Sequence, residues 1–466
     1  MLLAQSPPPP EDRTVLGELL STAPTERPQT QDLPPQHRRR RTLEALTRRI
    51  ETQARAQPLI VIFEDVQWID PTSLEVLNRM VERAIGLPVL LVMTFRPEFA
   101  APWVGEPHVS VLTLSRLDRR DCHALVEQIA GASGLSDDLI GEIVARSDGV
   151  PLFVEELTKA VIETNALATT SATSREDVEA GPAQRYATGA AVMPPTLHTS
   201  LVARLDRLGP AREVAQIGAA IGREFSGALV AAVAECGEVE LGEALERLAD
   251  SGLVRRDSGP PQATYVFKHA LVQDAAYGTL LRDARRDLHA RIATALERDF
   301  PFIKDAHPEI LARHCAEAGL LPQAITWWGK AGDLALRRPA YDEAVAHLGR
   351  AIEAADGLAS DAAPTISPSA RLRLQVAYAQ ALMWARDHGN AAPETIFAFA
   401  RARELLAGVE DGSERFFTFY GLWAGSMSRG EIASARYQAE TYLSAAEREP
   451  GAPQAAVAHA VLGVTC

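Results

Sequence analysis

Leu59-Ile60-Val61-Ile62-Phe63 is an unbroken apolar run, rich in β-branched residues, that ends abruptly in Glu64-Asp65. Such a run reads as a strand buried on both faces, the habit of a central parallel strand rather than a half-exposed hairpin strand. A parallel strand cannot close by a tight turn, so the neighbouring sequence must supply a crossover and a partner. In an open α/β sheet, ligands bind beyond the carboxyl ends of the strands, which is where Glu64 and Asp65 would fall. Paired acids there suit a magnesium–nucleotide site, one carboxylate holding the hydrated metal and the other orienting an attacking water. The plainer alternative is that the acids cap the next helix. Asp70-Pro71-Thr72 already offers a better cap, and the site reading is preferred.

The crossover and partner follow directly. Ser73–Ala84 has helical periodicity, and Val89-Leu90-Leu91-Val92-Met93-Thr94 is a second continuous apolar strand, leading into Phe95-Arg96. Strand, helix and strand with short links form a βαβ unit, parallel and right-handed. This sets Thr94 and Arg96 beside Glu64 and Asp65 on one sheet edge. A guanidinium there can neutralise a terminal phosphate or report its loss. A weaker strand, Val109–Leu114, is expected to complete the sheet.

Around this core (residues 37–115) the chain divides by composition and period. Residues 1–36, rich in Pro, Gln and Thr, read as a loosely ordered arm with one helix near Val15–Leu20. Arg38–Arg41 read as the solvated start of a helix in preference to a phosphate site. Residues 116–165 form a helical lid with helices at Arg119–Gly131 and Asp137–Ser147. Within it Gly149 can end one helix and Pro151 start the next. Residues 166–195 read as a linker. Residues 196–300 alternate helices with a hairpin, Gly252–Arg256 and Ala263–Phe267 flanking Asp257–Pro261, which suggests a winged-helix-like domain. Its basic footprint (Arg255, Arg256, Lys268) is thin for base readout. In residues 301–466, Trp328, Ala331, Gly332, Ala335, Tyr341, Ala344, Leu348 and Ala351 keep the small/large spacing of a roughly 34-residue helical repeat. Weaker copies lie near Phe399 and Ala402, and near Gly430, Ala435 and Tyr442. The fold class is therefore mainly α, with a partial α/β sheet followed by a winged helix and an α-solenoid.

Composition excludes some classes. With 47% hydrophobic and 23% charged residues and a net charge of −14, the chain is not dominated by a nucleic-acid surface. Its four cysteines form no CxxC pair, so neither a disulfide framework nor a zinc site is indicated. No apolar run reaches the roughly 18–20 residues that span a bilayer, and the N-terminus lacks a signal-peptide pattern; a cytoplasmic location without membrane contact is expected.

Phe63-Glu64-Asp65-Val66-Gln67-Trp68-Ile69-Asp70-Pro71-Thr72-Ser73 and Thr94-Phe95-Arg96-Pro97-Glu98 resemble the Walker B and sensor segments of STAND-type signalling ATPases. Two further segments, Gly149–Leu157 and Phe267–Tyr277, support that resemblance. These AAA-like regulators carry tetratricopeptide tails and occur with nucleotide-cyclase-like or LuxR-type output domains. The resemblance implies that Glu64 is the magnesium acid, acting through water, and Asp65 the water-orienting catalytic acid. Thr94 and Arg96 would then face the nucleotide, with Arg96 as the sensor arginine. Gly149 and Pro151 would form the lid motif whose proline lies against adenine. ATP and magnesium are the implied cofactors, and a protein or peptide bound by the repeats the implied partner.

One departure stands against these matches. There is no GxxxxGK[ST]; the single Gly-Lys pair, Gly329-Lys330, precedes Ala331 in the repeat region. That loop supplies backbone amides, a lysine and a magnesium hydroxyl, without which the acids repel a triphosphate. The expectation is a fragment, or the product of a truncated gene, that neither holds ATP stably nor hydrolyses it alone. Its sheet would have an open edge, and the chain would tend to associate. Three functions compete: part of a nucleotide-dependent signalling switch, a non-catalytic repeat scaffold, and a DNA-binding winged-helix regulator.

Overall fold

The computed structural model describes residues 9–19, 35–131, 135–172, 197–257, 263–359, 366–386, 389–407, 409, 412–447 and 454–466. The chain is mainly helical and falls into two compact units, residues 1–111 with 300–466 and residues 112–299.

In the first unit, helix α1 (Pro10–Leu19) packs Val15 and Leu16 against Ala45 and Leu46 of α2 (Pro35–Ala56). Arg48 closes this contact on Asp12 at 3.0 Å. Part of the expected arm is thus a packed helix. Arg39 in the basic run is not simply solvated, because it pairs with Glu75 at 2.7 Å. Strand β1 (Leu59–Phe63) pairs in parallel with β2 (Val89–Met93), in register from Leu59 opposite Val89 to Phe63 opposite Met93. Helix α3 (Pro71–Arg83) makes the crossover. Pro71 stands in its first turn, and the Asp70 side chain accepts from the Ser73 amide at 2.8 Å.

Two expectations fail here. The strands are covered on one face only. Phe63, Leu91 and Met93 pack against Val66, Leu77, Val81 and Trp103, whereas Ile60, Ile62, Leu90 and Val92 stand exposed. The apolar run is continuous because of its composition; among the described residues nothing packs on the second face. Nor is Val109–Leu114 a strand. Val109 tucks against the same cluster, but Leu112 and Leu114 are 87% and 93% exposed and the stretch enters no ladder, leaving a two-stranded sheet.

The rest of this unit is a run of helices: α13 (Pro301–Ala306), α14 (Pro308–Glu317), α15 (Leu321–Arg337), α16 (Tyr341–Ala359), α17 (Pro368–Ala385), α18 (Pro393–Leu405), α19 (Gly412–Ser428), α20 (Ile432–Glu447) and α21 (Gln454–Thr465). Each packs on the next from α13 onward, and α15 also meets α17, α17 meets α19, and α19 meets α21, the contact pattern of a solenoid. All eight repeat positions named from the sequence are buried. The small residues are needed: a Cβ at Gly332 would lie 2.4 Å from Leu348, and one at Gly421 would lie 2.3 Å from the Phe399 ring.

In the second unit, α4 (Arg119–Ala130), α5 (Asp137–Ser147) and α6 (Pro151–Ala172) enclose Cys122, Val126, Ile143, Val154 and Leu157. Helix α6 carries into the expected linker as far as Ala172; residues 173–196 lie outside the described residues. There follow α7 (Leu197–Arg207), α8 (Ala211–Ile221), β3 (Glu224–Ser226), α9 (Gly227–Val233), α10 (Glu238–Asp250), β4 (Val254–Arg256), β5 (Thr264–Phe267), α11 (Ala270–Gly278) and α12 (Arg282–Asp299). The two expected hairpin strands pair antiparallel, and β3, absent from the sequence reading, adds to the far side of β5. The hairpin turn, 258–262, lies outside the described residues.

Candidate functional site

The carboxyl ends of β1 and β2 carry the predicted acids and their partners. Thr94 continues the ladder, donating its amide to the Phe63 carbonyl at 2.9 Å and accepting from the Val66 amide at 2.9 Å. Its hydroxyl accepts from the Asp65 amide at 3.0 Å. Asp65 holds a left-handed backbone (φ 54°), which aspartate tolerates better than most residues, and the chain then enters a 3-10 turn, Val66–Trp68. That turn delivers Gln67, which the sequence reading did not single out. Its carboxamide donates to Asp65 Oδ1 at 3.2 Å and accepts from the Arg96 amide at 3.2 Å. Asp65, Thr94 and the Arg96 backbone are therefore joined through one hydroxyl and one amide. Glu64 stands next to them, exposed, and the Arg96 side chain is exposed as well. A glutamine two residues beyond an acid-bearing strand is too common to signal this role; only the ladder register reveals it.

Gly149 and Pro151 belong to the other unit. Helix α5 ends in two successive left-handed residues, Asp148 (φ 51°) and Gly149 (φ 71°). The Gly149 carbonyl accepts from the Leu117 amide at 2.8 Å. A Cβ on Gly149 would lie 2.4 Å from the Leu117 carbonyl oxygen, so only glycine fits this crossing. Pro151 begins α6 and is exposed.

In the same unit, Glu156 on α6 and Arg204 on α7 form an ion pair with both side chains 3% exposed, and Arg204 also donates to the Ser251 carbonyl at 2.7 Å. Beside it, Glu155 meets Lys159 and, at 3.2 Å, Lys268. Burial works against ionisation of Glu155, but the two lysines outweigh it and hold the carboxyl below its usual range. Burial pushes His269 down, against the pull of Glu155. Lys268 is thus tied to an acid, Arg255 pairs with Asp257 at 3.1 Å, and Arg256 lies over Tyr265. The hairpin's basic residues are engaged within the chain.

Among the described residues no group of three or more His, Cys, Asp or Glu could hold a metal ion by protein ligands alone. A magnesium that keeps most of its waters needs only one or two carboxylates beside phosphate oxygens, and an exposed Glu64 next to an oriented Asp65 fits that demand. The phosphates are less well served, since the sequence lacks the GxxxxGK[ST] loop that would cradle them.

A parallel βαβ edge bearing acids, a threonine and an arginine, together with a helical solenoid, is the class of protein these units define. No protein-family profile matches the sequence. An uncharacterized protein of Rhizobium meliloti (strain 1021) is 31% identical over 312 residues, a span of 66% of this chain and 29% of that protein. The chain thus corresponds to less than a third of that relative's length. Among solved structures, a Signal Transduction ATPase with Numerous Domains (STAND) protein with a tetratricopeptide repeat sensor from Pyrococcus horikoshii overlaps 91% of this chain and 67% of its own, at 10% identity. The TM-score is 0.36, too low for that overlap to support an argument about fold or function.

Proposed function

We propose that this chain is the ATPase–repeat portion of a nucleotide-dependent signalling switch of STAND type. In this reading the β1–β2 edge supplies the magnesium and water side of a nucleotide site, and the solenoid reads a protein or peptide partner. The observation that carries it is the convergence of Asp65, Thr94 and Arg96, joined through Gln67, at the carboxyl ends of two parallel strands. Ligands of open α/β sheets bind at that edge. Asp65 is fixed from two sides and suits the orientation of a water; the exposed Glu64 suits a hydrated metal; Arg96 suits a phosphate. Gly149 and Pro151 are assigned to the lid by sequence resemblance. The winged-helix-like domain expected over residues 196–300, with its three-stranded β3-β5-β4 sheet, is taken to serve packing rather than DNA, because Arg255, Arg256 and Lys268 are occupied within the chain. Cyclase-like and LuxR-type outputs are equally compatible with this portion.

No hydrolytic step is assigned to the chain by itself, since nothing in its sequence replaces the phosphate loop. Purified chain is expected to show ATP turnover at the level of a blank; turnover abolished by Asp65→Asn would overturn that. The switch reading is tested on the coding DNA upstream of Met1. An in-frame GxxxxGK[ST] supports it, and its absence leaves the scaffold reading in its place.

A further inference from the structure

In the second unit, helices α8 and α12 pack together and leave between them a cleft of about 470 Å³. That is within the range of small-molecule sites, roughly 300–1,000 Å³. Its floor is apolar: Ile217 of α8 and Leu288 of α12 line it at 2% and 5% exposure. Gln216 donates its amide to the Thr279 hydroxyl at 2.8 Å, which fastens α8 to the corner between α11 and α12. The walls are therefore set before anything enters.

Each wall carries one guanidinium, Arg212 on α8 and Arg291 on α12. Arg291 is anchored by Glu235 at 3.1 Å and by the Val233 carbonyl, and brings chiefly charge. Arg212 differs. One of its terminal nitrogens pairs with Asp206 at 2.8 Å, but its Nε is buried and has no acceptor among the described residues. A guanidinium presents five N–H donors, so a second acceptor can join it without displacing Asp206. A buried donor without an acceptor has given up its hydrogen bond to water for nothing, and an incoming oxygen restores it. Glu213, exposed in the same lining, sets the charge the cleft accepts. Two arginines against one glutamate match a singly charged group. Asp206 and Glu235 draw on the same cations, which disfavours a doubly charged phosphate.

We propose that this cleft binds a small monocarboxylate with an apolar tail. The carboxylate accepts from Arg212 Nε, a charge-assisted hydrogen bond, and the tail lies on Ile217 and Leu288, where it leaves water. None of Glu64, Asp65, Thr94, Arg96, Gly149 and Pro151 lines this cleft, so the assignment goes beyond the nucleotide reading and does not depend on it.

The test is calorimetric titration of the full chain with octanoate, kept below its micellar range. Octanamide, acetate and inorganic phosphate are the comparison probes. Octanoate is expected to bind saturably at a single site. Octanamide has the tail without the charge and acetate the charge without the tail; each should bind at least about tenfold more weakly. Arg212→Gln should weaken octanoate by roughly ten- to a hundredfold, the worth of one charge-assisted hydrogen bond. Ala284→Trp should fill the cleft from an exposed position on α12 and abolish binding while leaving both arginines in place. Absence of saturable octanoate binding overturns the proposal, as does octanamide or phosphate binding as tightly as octanoate. Binding indifferent to Arg212→Gln and Ala284→Trp overturns it too. Should Arg212→Gln fail to fold, Ala284→Trp and the octanamide comparison decide.

Discussion

Gly149→Ala gives the sharpest measure of whether the second unit is packed as described. The substitution forces alanine into a left-handed backbone at φ 71° and sets its Cβ 2.4 Å from the Leu117 carbonyl oxygen, which is backbone and cannot rotate away. The conformational part costs about 1–2 kcal/mol and the overpacking about 1–3, so roughly 2–5 kcal/mol together. Gly141 is the internal control. It lies eight residues earlier, within helix α5, and a Cβ there meets nothing within 4 Å. Gly141→Ala should therefore stabilise by about 0.5–1 kcal/mol. Both changes fall on the cluster that buries Cys122 at 1% exposure, so the labelling rate of that thiol under native conditions reports its opening. The other three cysteines are first replaced by serine or alanine. At about 1.4 kcal/mol per decade, Gly149→Ala should speed labelling by roughly 30-fold to several thousandfold, and Gly141→Ala should slow it by roughly two- to fivefold. If Gly149→Ala labels within about twofold of the parent, the Leu117–Gly149 crossing is not what holds this turn.

Two other outcomes follow from burial. Arg204→Ala leaves the buried Glu156 with the longer contact to Lys159 at 4.0 Å and should cost up to about 3–5 kcal/mol, read by the same thiol or by thermal melting. A loss near zero would mean that water reaches the pair. On the sheet, Ile60→Thr and Leu90→Thr, at 69% and 56% exposure, should change stability by no more than about 0.5 kcal/mol, whereas Leu77→Ala on the covered face should cost about 2–5 in urea denaturation. Equal losses on the two faces would show that the second face is covered in solution.

Long periodic elements were legible in the sequence, and short or one-sided ones were not. Asp137–Ser147 is found with the bounds its periodicity predicts, because three turns of apolar spacing ended by the left-handed Asp148-Gly149 leave little choice. Glu224–Ser226 and Gly227–Val233 escaped notice, since three residues show no period and a seven-residue helix barely two turns. The apolar run at Leu59–Phe63 predicted its strand and its parallel partner but misjudged what covers it. A hydrophobic side chain states a preference for burial, and whether a neighbour satisfies it is a property of the remaining chain. Val109–Leu114 failed for a related reason: alternation suggests a strand, but only a ladder partner makes one.

The site divides along the same line. Residue types and spacing located Glu64, Asp65, Thr94 and Arg96, because parallel pairing in register forces equivalent strand ends to one edge. What the spacing could not reveal is that the two acids differ physically. Asp65 is held from both directions, its amide on Thr94 and its carboxylate on Gln67, and its left-handed turn leaves the backbone little freedom to follow a ligand. Glu64, one residue earlier and exposed, keeps its rotamers. An acid that must orient a water gains from being fixed beforehand, since no ordering cost remains when the ligand arrives; an acid that reaches a hydrated cation gains from retained freedom. Gln67→Ala removes the carboxamide that joins Asp65 Oδ1 to the Arg96 amide without removing any charge, and should speed hydrogen exchange at the Arg96 amide; unchanged exchange there would show that the strand ends are held together without it.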